Sequence, residues 1–236
     1  MSIKIGKLSL GKFIKSYLGL RFIDALEVYY LKEENLFYPI ISKSACSTIK
    51  QDIIRKYNPE FSSKFPEIHQ IDPSDETDGN VLRLHFYTFK DYKTFCKGKK
   101  ACLVIRNPYE RMYSCYLDIQ KRKNIMYEDP SGLTNHFGIT SEISLSDFIS
   151  KIKKLPDHLS DRHFRSQSVF LQHGVMDVLK SVQIVALENY KGTGNKSEKL
   201  NTNSKKITPE LVQELIQDKA FQIRFSEDIR LYNEHK

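Results

Sequence analysis

The chain has 236 residues, with 37 lysines and arginines against 29 acids and a formal net charge of +8. Its 40% hydrophobic and 28% charged content fits a folded globular protein and excludes a disordered chain or a membrane bundle. A chain this long buries enough surface to fold without disulfides or metals, and its positive balance points to an anionic partner: nucleic acid, nucleotide, lipid or acidic sugar.

Residues 1–36 read as an N-terminal helical extension of a single domain. Lys4, Lys7, Lys12 and Lys15 lie beside Phe13, Ile14, Tyr17 and Leu18. That pattern suits a helix packed on the domain, with contact to a membrane surface as the other reading. Gly6, Gly11 and Gly19 interrupt the apolar residues, so no signal-peptide core forms. Nowhere do about 18 apolar residues run together, so no transmembrane helix is expected. Cys46, Cys96, Cys102 and Cys115 contain no C-x-x-C pair and read as reduced thiols in or near the core, in a reducing compartment.

From residue 37 onward strands and helices alternate. Phe37 to Ser42 is a short apolar run, and Ile49, Ile53, Ile54 and Tyr57 then recur at helical spacing. Val81 to Tyr87 alternates as a strand, and Ala101 to Ile105 reads as a buried one. Asn107, Pro108 and Glu110 then supply N-cap, N1 and N3 of a helix. Ser144 to Leu155 is an amphipathic helix, Val182 to Leu187 another buried strand, and Thr208-Pro209 opens a further helix. The expected fold is α/β: a P-loop-like, three-layer arrangement with a central parallel sheet flanked by helices, its ligand at the carboxyl ends of the strands. Asp72 to Asn80, Tyr127 to Thr140 and Lys191 to Ser204 are rich in turn formers and read as surface excursions.

Two stretches carry chemistry. Ser42 to Thr48 (SKSACST) joins a strand to a helix, where backbone N–H groups and the helix N-terminus favour an anion. Small residues let the backbone approach, Lys43 brings a cation, and Ser47 or Thr48 brings a hydroxyl. It is not a Walker A loop, since the glycines are missing and the lysine enters the loop. The plainer alternative is an ordinary serine-capped helix start. The second stretch is Cys102 to Asp118 (CLVIRNPYERMYSCYLD). Its strand ends in Arg106, which binds an anion directly, where a nucleoside triphosphatase would place a magnesium-binding aspartate. Ser114 returns a hydroxyl to the same edge from the helix. Arg111 reads mainly as a residue paired with Glu110 or Asp118.

The lysine-bearing loop followed by R-N-P-Y-E-R-M-Y-S-C-Y resembles the carbohydrate sulfotransferases that use 3'-phosphoadenosine 5'-phosphosulfate: the Golgi-type chondroitin, dermatan and heparan uronosyl enzymes and their microbial relatives. Further segments agree in order: Asp161 to Gln167 (DRHFRSQ), Ala186 to Asn189 (ALEN), and Asp228 to Tyr232 (DIRLY). The resemblance spans about residues 37–232. It implies a metal-independent enzyme that binds the donor's 5'-phosphosulfate through Lys43, Ser44, Ala45, Cys46, Ser47 and Thr48, and its 3'-phosphate through Arg106 and Ser114. The sequence departs from the family pattern at Ser42, Asn107, Phe164 and Ser166. The expected acceptor is a carbohydrate-type hydroxyl compound. The absence of the Golgi enzymes' anchor and stem makes a cytoplasmic location the expectation.

Sulfuryl transfer needs stabilisation of charge on the leaving phosphate, a task for Lys43, and a base for the acceptor hydroxyl, a task suited to histidine. His85, resembling the base of the heparan uronosyl enzymes, is the first candidate and His163 the second. Arg162 and Arg165, flanking His163, are the acceptor-binding candidates. His69, His136, His158, His173 and His235 read as surface residues. Lys97, Lys99, Lys100, Lys121, Arg122 and Lys123 form a solvated face or an acceptor groove. The rival readings are a P-loop kinase and a basic nucleic-acid-binding module. The second is disfavoured because the cations are scattered and not interleaved with exposed aromatics.

Overall fold

The computed structural model describes residues 4–5, 8–63, 67–121, 137–192 and 207–236. Most of the expected excursions at 127–140 and 191–204 lie outside the described residues.

Period-two burial builds the sheet. In β3 (Leu26–Leu31), Leu26 and Val28 enter one hydrophobic cluster, while Tyr29 and Leu31 enter another on the opposite face. In β6 (Lys100–Ile105), Ala101, Leu103 and Ile105 join the first cluster and Val104 the second. With β4 (Leu36–Pro39), β5 (Val81–Phe86) and β7 (Ser181–Ala186), these form a five-stranded sheet of order β5-β3-β4-β6-β7. β4, β6 and β7 are mutually parallel, as expected of a βαβ core. β3 runs antiparallel to both β4 and β5, which makes that half of the sheet antiparallel.

Helices cover both faces. α2 (Cys46–Arg55) presses Ile49 and Ile53 onto the Tyr29 side, and α3 (Phe89–Cys96) and α8 (Ser226–His235) bring Tyr92, Cys96 and Leu231 to the other. A separate core joins α4 (Pro108–Lys121), α5 (Leu145–Ile152), α6 (Pro209–Gln217) and α7 (Lys219–Arg224) through Met112, Phe148, Leu215 and Phe221. The start signals hold. Asn107 Oδ1 accepts from the N–H of Tyr109 at 3.0 Å, Ser144 Oγ from Asp147 at 3.1 Å and Thr208 Oγ1 from Leu211 at 3.3 Å.

The helical extension is shorter than the sequence pattern indicates. β1 (Lys4–Ile5) and β2 (Leu8–Ser9) pair as a small hairpin, and α1 (Leu10–Tyr17) packs Phe13 near Ile23 and Leu159. By Leu26 the chain is already in the central sheet. Among the described residues no helix is long and apolar enough to cross a membrane. All four cysteines are free thiols; burial pushes Cys96 and Cys115 up to about 12 and Cys102 to about 11.

Candidate functional site

The turn between β4 and α2 sits at the carboxyl end of the parallel strands. Two of its non-glycine residues take left-handed backbone conformations, Lys43 with φ 67° and Ala45 with φ 57°. Such a conformation costs an L-residue about 1–2 kcal/mol. The Ser44 N–H between them donates back to the Ile41 carbonyl at 3.2 Å, which closes the turn on its own backbone. Three contacts hold the turn. Ser44 Oγ donates to Gln167 Oε1 at 2.9 Å, Arg111 Nε donates to the Ser42 carbonyl at 2.9 Å, and Arg106 Nη1 reaches the Lys43 carbonyl at 3.3 Å. Ser44, Ser47 and Thr48 are buried, and Cys46, at the first helical position, is half-buried.

The structure therefore brings the first loop and the arginine-ended strand together. Arg106 leaves β6 beside Lys43 and also pairs with Glu110 at 3.3 Å. On α4, Ser114 and Asp118 are four residues apart and share a face. Lys43 Nζ sits 2.9 Å from Asp118 Oδ2, both side chains being mostly buried. Among the described residues Arg111 forms no salt bridge with Glu110 or Asp118. Fully buried, it donates to the carbonyls of Ser42, Arg165 and Arg162, tying the loop to the Asp161–Gln167 segment.

Gln167 closes the arrangement. Its Oε1 also accepts from the Arg106 N–H at 2.9 Å, and its Nε2 donates to the Arg106 carbonyl at 2.8 Å. Its own backbone N–H, with that of Ser168, is held by the buried carboxylate of Asp228 at 2.7 and 2.8 Å. The C-terminal Asp228–Tyr232 stretch thus anchors the segment that joins the Lys43 turn to the Arg106 strand end, and Tyr232 reaches Glu188 at 2.5 Å.

Behind the loop lies a buried charge network on β3. Glu27 meets Lys50 of α2 at 2.7 Å, Arg83 of β5 at 2.9 Å and Arg162 at 2.8 Å. Burial would raise this carboxyl, but the three cations outweigh it and hold Glu27 down at about 2. The arginines expected to meet the acceptor are engaged here instead. Arg162 is bound to Asp24 and Glu27, which hold it strongly protonated. Arg165 is 3% exposed, lies over the Phe22 ring, and donates to the carbonyls of Asp24, Ala25, Asp157 and Ser160. A buried guanidinium requires such partners, so these two arginines fix the segment in place, and with Arg111 they also line a small cavity beside Glu27 and Ser166.

Three histidines surround the network. His85 is exposed on β5 opposite Glu27 in the strand register, and among the described residues its side chain makes no hydrogen bond. Its surface is open, yet the partial burial it does have, followed by Arg83, Arg162 and Lys50, lowers its pKa against the opposing pull of Glu27. His163 donates Nδ1–H to Asp161 Oδ1 at 2.5 Å, and its backbone N–H meets the same oxygen at 2.8 Å. His69, which the sequence pattern left on the surface, instead lies against the first loop, with Nε2 3.0 Å from Ser47 Oγ.

The sequence pattern thus gives His69 no site role, offers Asp118 only as a partner for Arg111, and names Asp161 and Gln167 only as the ends of a family-like segment. The i, i+4 spacing of Ser114 and Asp118 and the i, i+2 spacing of Asp161 and His163 were usable signals; the contacts of His69 and Gln167 are distant in the chain. Among the described residues no group of three or more His, Cys, Asp or Glu side chains is placed to hold a metal ion.

These elements define an α/β protein with a lysine-bearing left-handed turn, a strand-end arginine and histidines at one end of its sheet. The sequence matches the sulfotransferase family over residues 27–233, and the chain belongs to that family. No curated protein and no solved structure matches it.

Proposed function

We propose that this sulfotransferase takes its sulfuryl group from 3'-phosphoadenosine 5'-phosphosulfate and delivers it to a hydroxyl of a carbohydrate-type acceptor. The observation that supports this reading is the contact of Arg106, after β6, with the Lys43 carbonyl, after the neighbouring parallel strand β4, which joins the two cation-bearing segments. The residues suit a doubly anionic nucleotide. The left-handed turn, Lys43 and Ser47 face the 5' end, while Arg106 and Ser114 serve the 3'-phosphate. The donor supplies the sulfuryl group, whose bond to the acceptor oxygen forms as its bond to the phosphate oxygen breaks. Lys43 offsets the charge that collects on the leaving phosphate.

His85 takes the acceptor proton. It is exposed, and its lowered pKa keeps it in the neutral form a base needs. One observation favours a second reading: His163 is oriented by the Asp161 carboxylate, as a base is in hydrolytic triads.

Titration calorimetry with adenosine 3',5'-bisphosphate in the presence of chelator tests the donor. Micromolar binding is expected, and no binding overturns the reading. Asp118 competes with the nucleotide for Lys43, so Asp118→Asn is expected to tighten binding about three- to tenfold. Unchanged or weaker binding shows that Lys43 does not leave Asp118 for the anion.

A further inference from the structure

His69 and Ser47 form a close serine–histidine pair of the kind that elsewhere activates a nucleophile. Here that role does not fit. Burial first, then the neighbouring Lys50 cation and the proximity of His163 and Arg83, push His69 down to about 3 against the pull of Glu27. An imidazole so weakly basic cannot take a proton from a serine hydroxyl. Instead it remains neutral, with one N–H and one lone pair.

The imidazole is also held in place. Its residue ends the short turn Glu67–His69, whose Ile68 is fully buried with Ile54 and Phe61. Arg83 Nη1 donates to the His69 carbonyl at 2.9 Å, so the same arginine that neutralises Glu27 fixes the backbone carrying the ring. Ser47 stands in the first turn of α2, beyond the two left-handed residues of the Lys43 loop. A serine hydroxyl has one proton and can rotate. If the proton points to His69, the oxygen turns its lone pairs toward an incoming anion and repels it. If His69 Nε2–H donates to the oxygen, the serine proton is released toward the loop.

We propose that His69 is a positioning residue of the donor site: in its Nε2–H tautomer it donates to Ser47 Oγ and directs the serine hydroxyl proton at the 5'-phosphate end of the nucleotide. This rests on the donor reading above and adds to it a residue distant in sequence from the loop.

The test compares adenosine 3',5'-bisphosphate with adenosine 3'-monophosphate, which lacks the 5' group, by calorimetry on the full chain. His69→Ala is expected to weaken the bisphosphate about five- to tenfold, the worth of one ordinary hydrogen bond, since Ser47 keeps its hydroxyl and loses only its orientation, and to leave the monophosphate unchanged. His69→Gln, whose side-chain amide supplies an N–H near the Nε2 position, is expected to restore most of the loss. In a Ser47→Ala background the effect of His69→Ala is expected to vanish. Equal losses for both nucleotides mean only local damage and overturn the proposal. So does a loss that persists without the serine hydroxyl, or no loss at all. Wild-type protein that binds neither nucleotide overturns the donor reading itself, and this inference with it.

Discussion

Arg106→Ala is expected to weaken adenosine 3',5'-bisphosphate about 100-fold, as judged by calorimetry. A guanidinium at a strand end offers a planar fork to a phosphate, and two charge-assisted hydrogen bonds of that kind account for a loss of this size. Present partners of Arg106 are weak by comparison. The Glu110 carboxylate, 3.3 Å away, is about half exposed, and the Lys43 carbonyl also stands at 3.3 Å. The fold should therefore survive, with the thermal unfolding midpoint moving little. Arg106→Lys should recover only part of the affinity, because an ammonium keeps the charge and loses the fork. Wild-type affinity in the alanine variant would remove Arg106 from the site.

Much of the fold was legible because its signals are local. Ala101 to Ile105 is apolar on both faces, as a strand covered by two helix layers must be, and Asn107 with Pro108 marks the following helix start. β3 escaped for a physical reason. Leu26–Leu31 carries Glu27, a charge that no sequence pattern places inside a sheet, and three cations from α2, β5 and the Arg162 segment make its burial tolerable. Those partners lie 23 or more residues away along the chain. Antiparallel pairing of β3 with both neighbours was equally out of view, since β5 returns to it only after a long excursion.

The site was legible where a motif states its own chemistry, and not where a side chain serves another. Lys43 and Arg106 do lie side by side, and the reason is Gln167, which bonds to both Ser44 and the Arg106 backbone. Arg165 shows the opposite case. An arginine beside a histidine in a cleft-forming segment invites a substrate role, yet its donors are consumed by four backbone carbonyls. A sequence displays the charge of an arginine but not the carbonyls around it. His69 was passed over for the same reason, because its partner Ser47 is 22 residues away.

His85→Ala is expected to lower kcat about 1,000-fold, within the range for loss of a general base, while adenosine 3',5'-bisphosphate affinity stays within about twofold of wild type. The split follows from position. His85 stands on the edge strand β5, across the register from Glu27, and not on the turn that carries Lys43. The pH profile adds an independent reading. Burial and the cations Arg83, Arg162 and Lys50 lower the His85 pKa while Glu27 opposes them. A base works when neutral, so kcat/KM should hold as pH falls through about 6.5, the usual imidazole value, and decline only below it. In His85→Ala that acid limb should disappear with the activity. If His85→Ala turns over normally and His163→Ala does not, the base is the histidine held by Asp161. An acid limb at or above the usual value in wild type speaks against His85 as well, because burial first, and then the three cations, favour its neutral form over the opposing pull of Glu27.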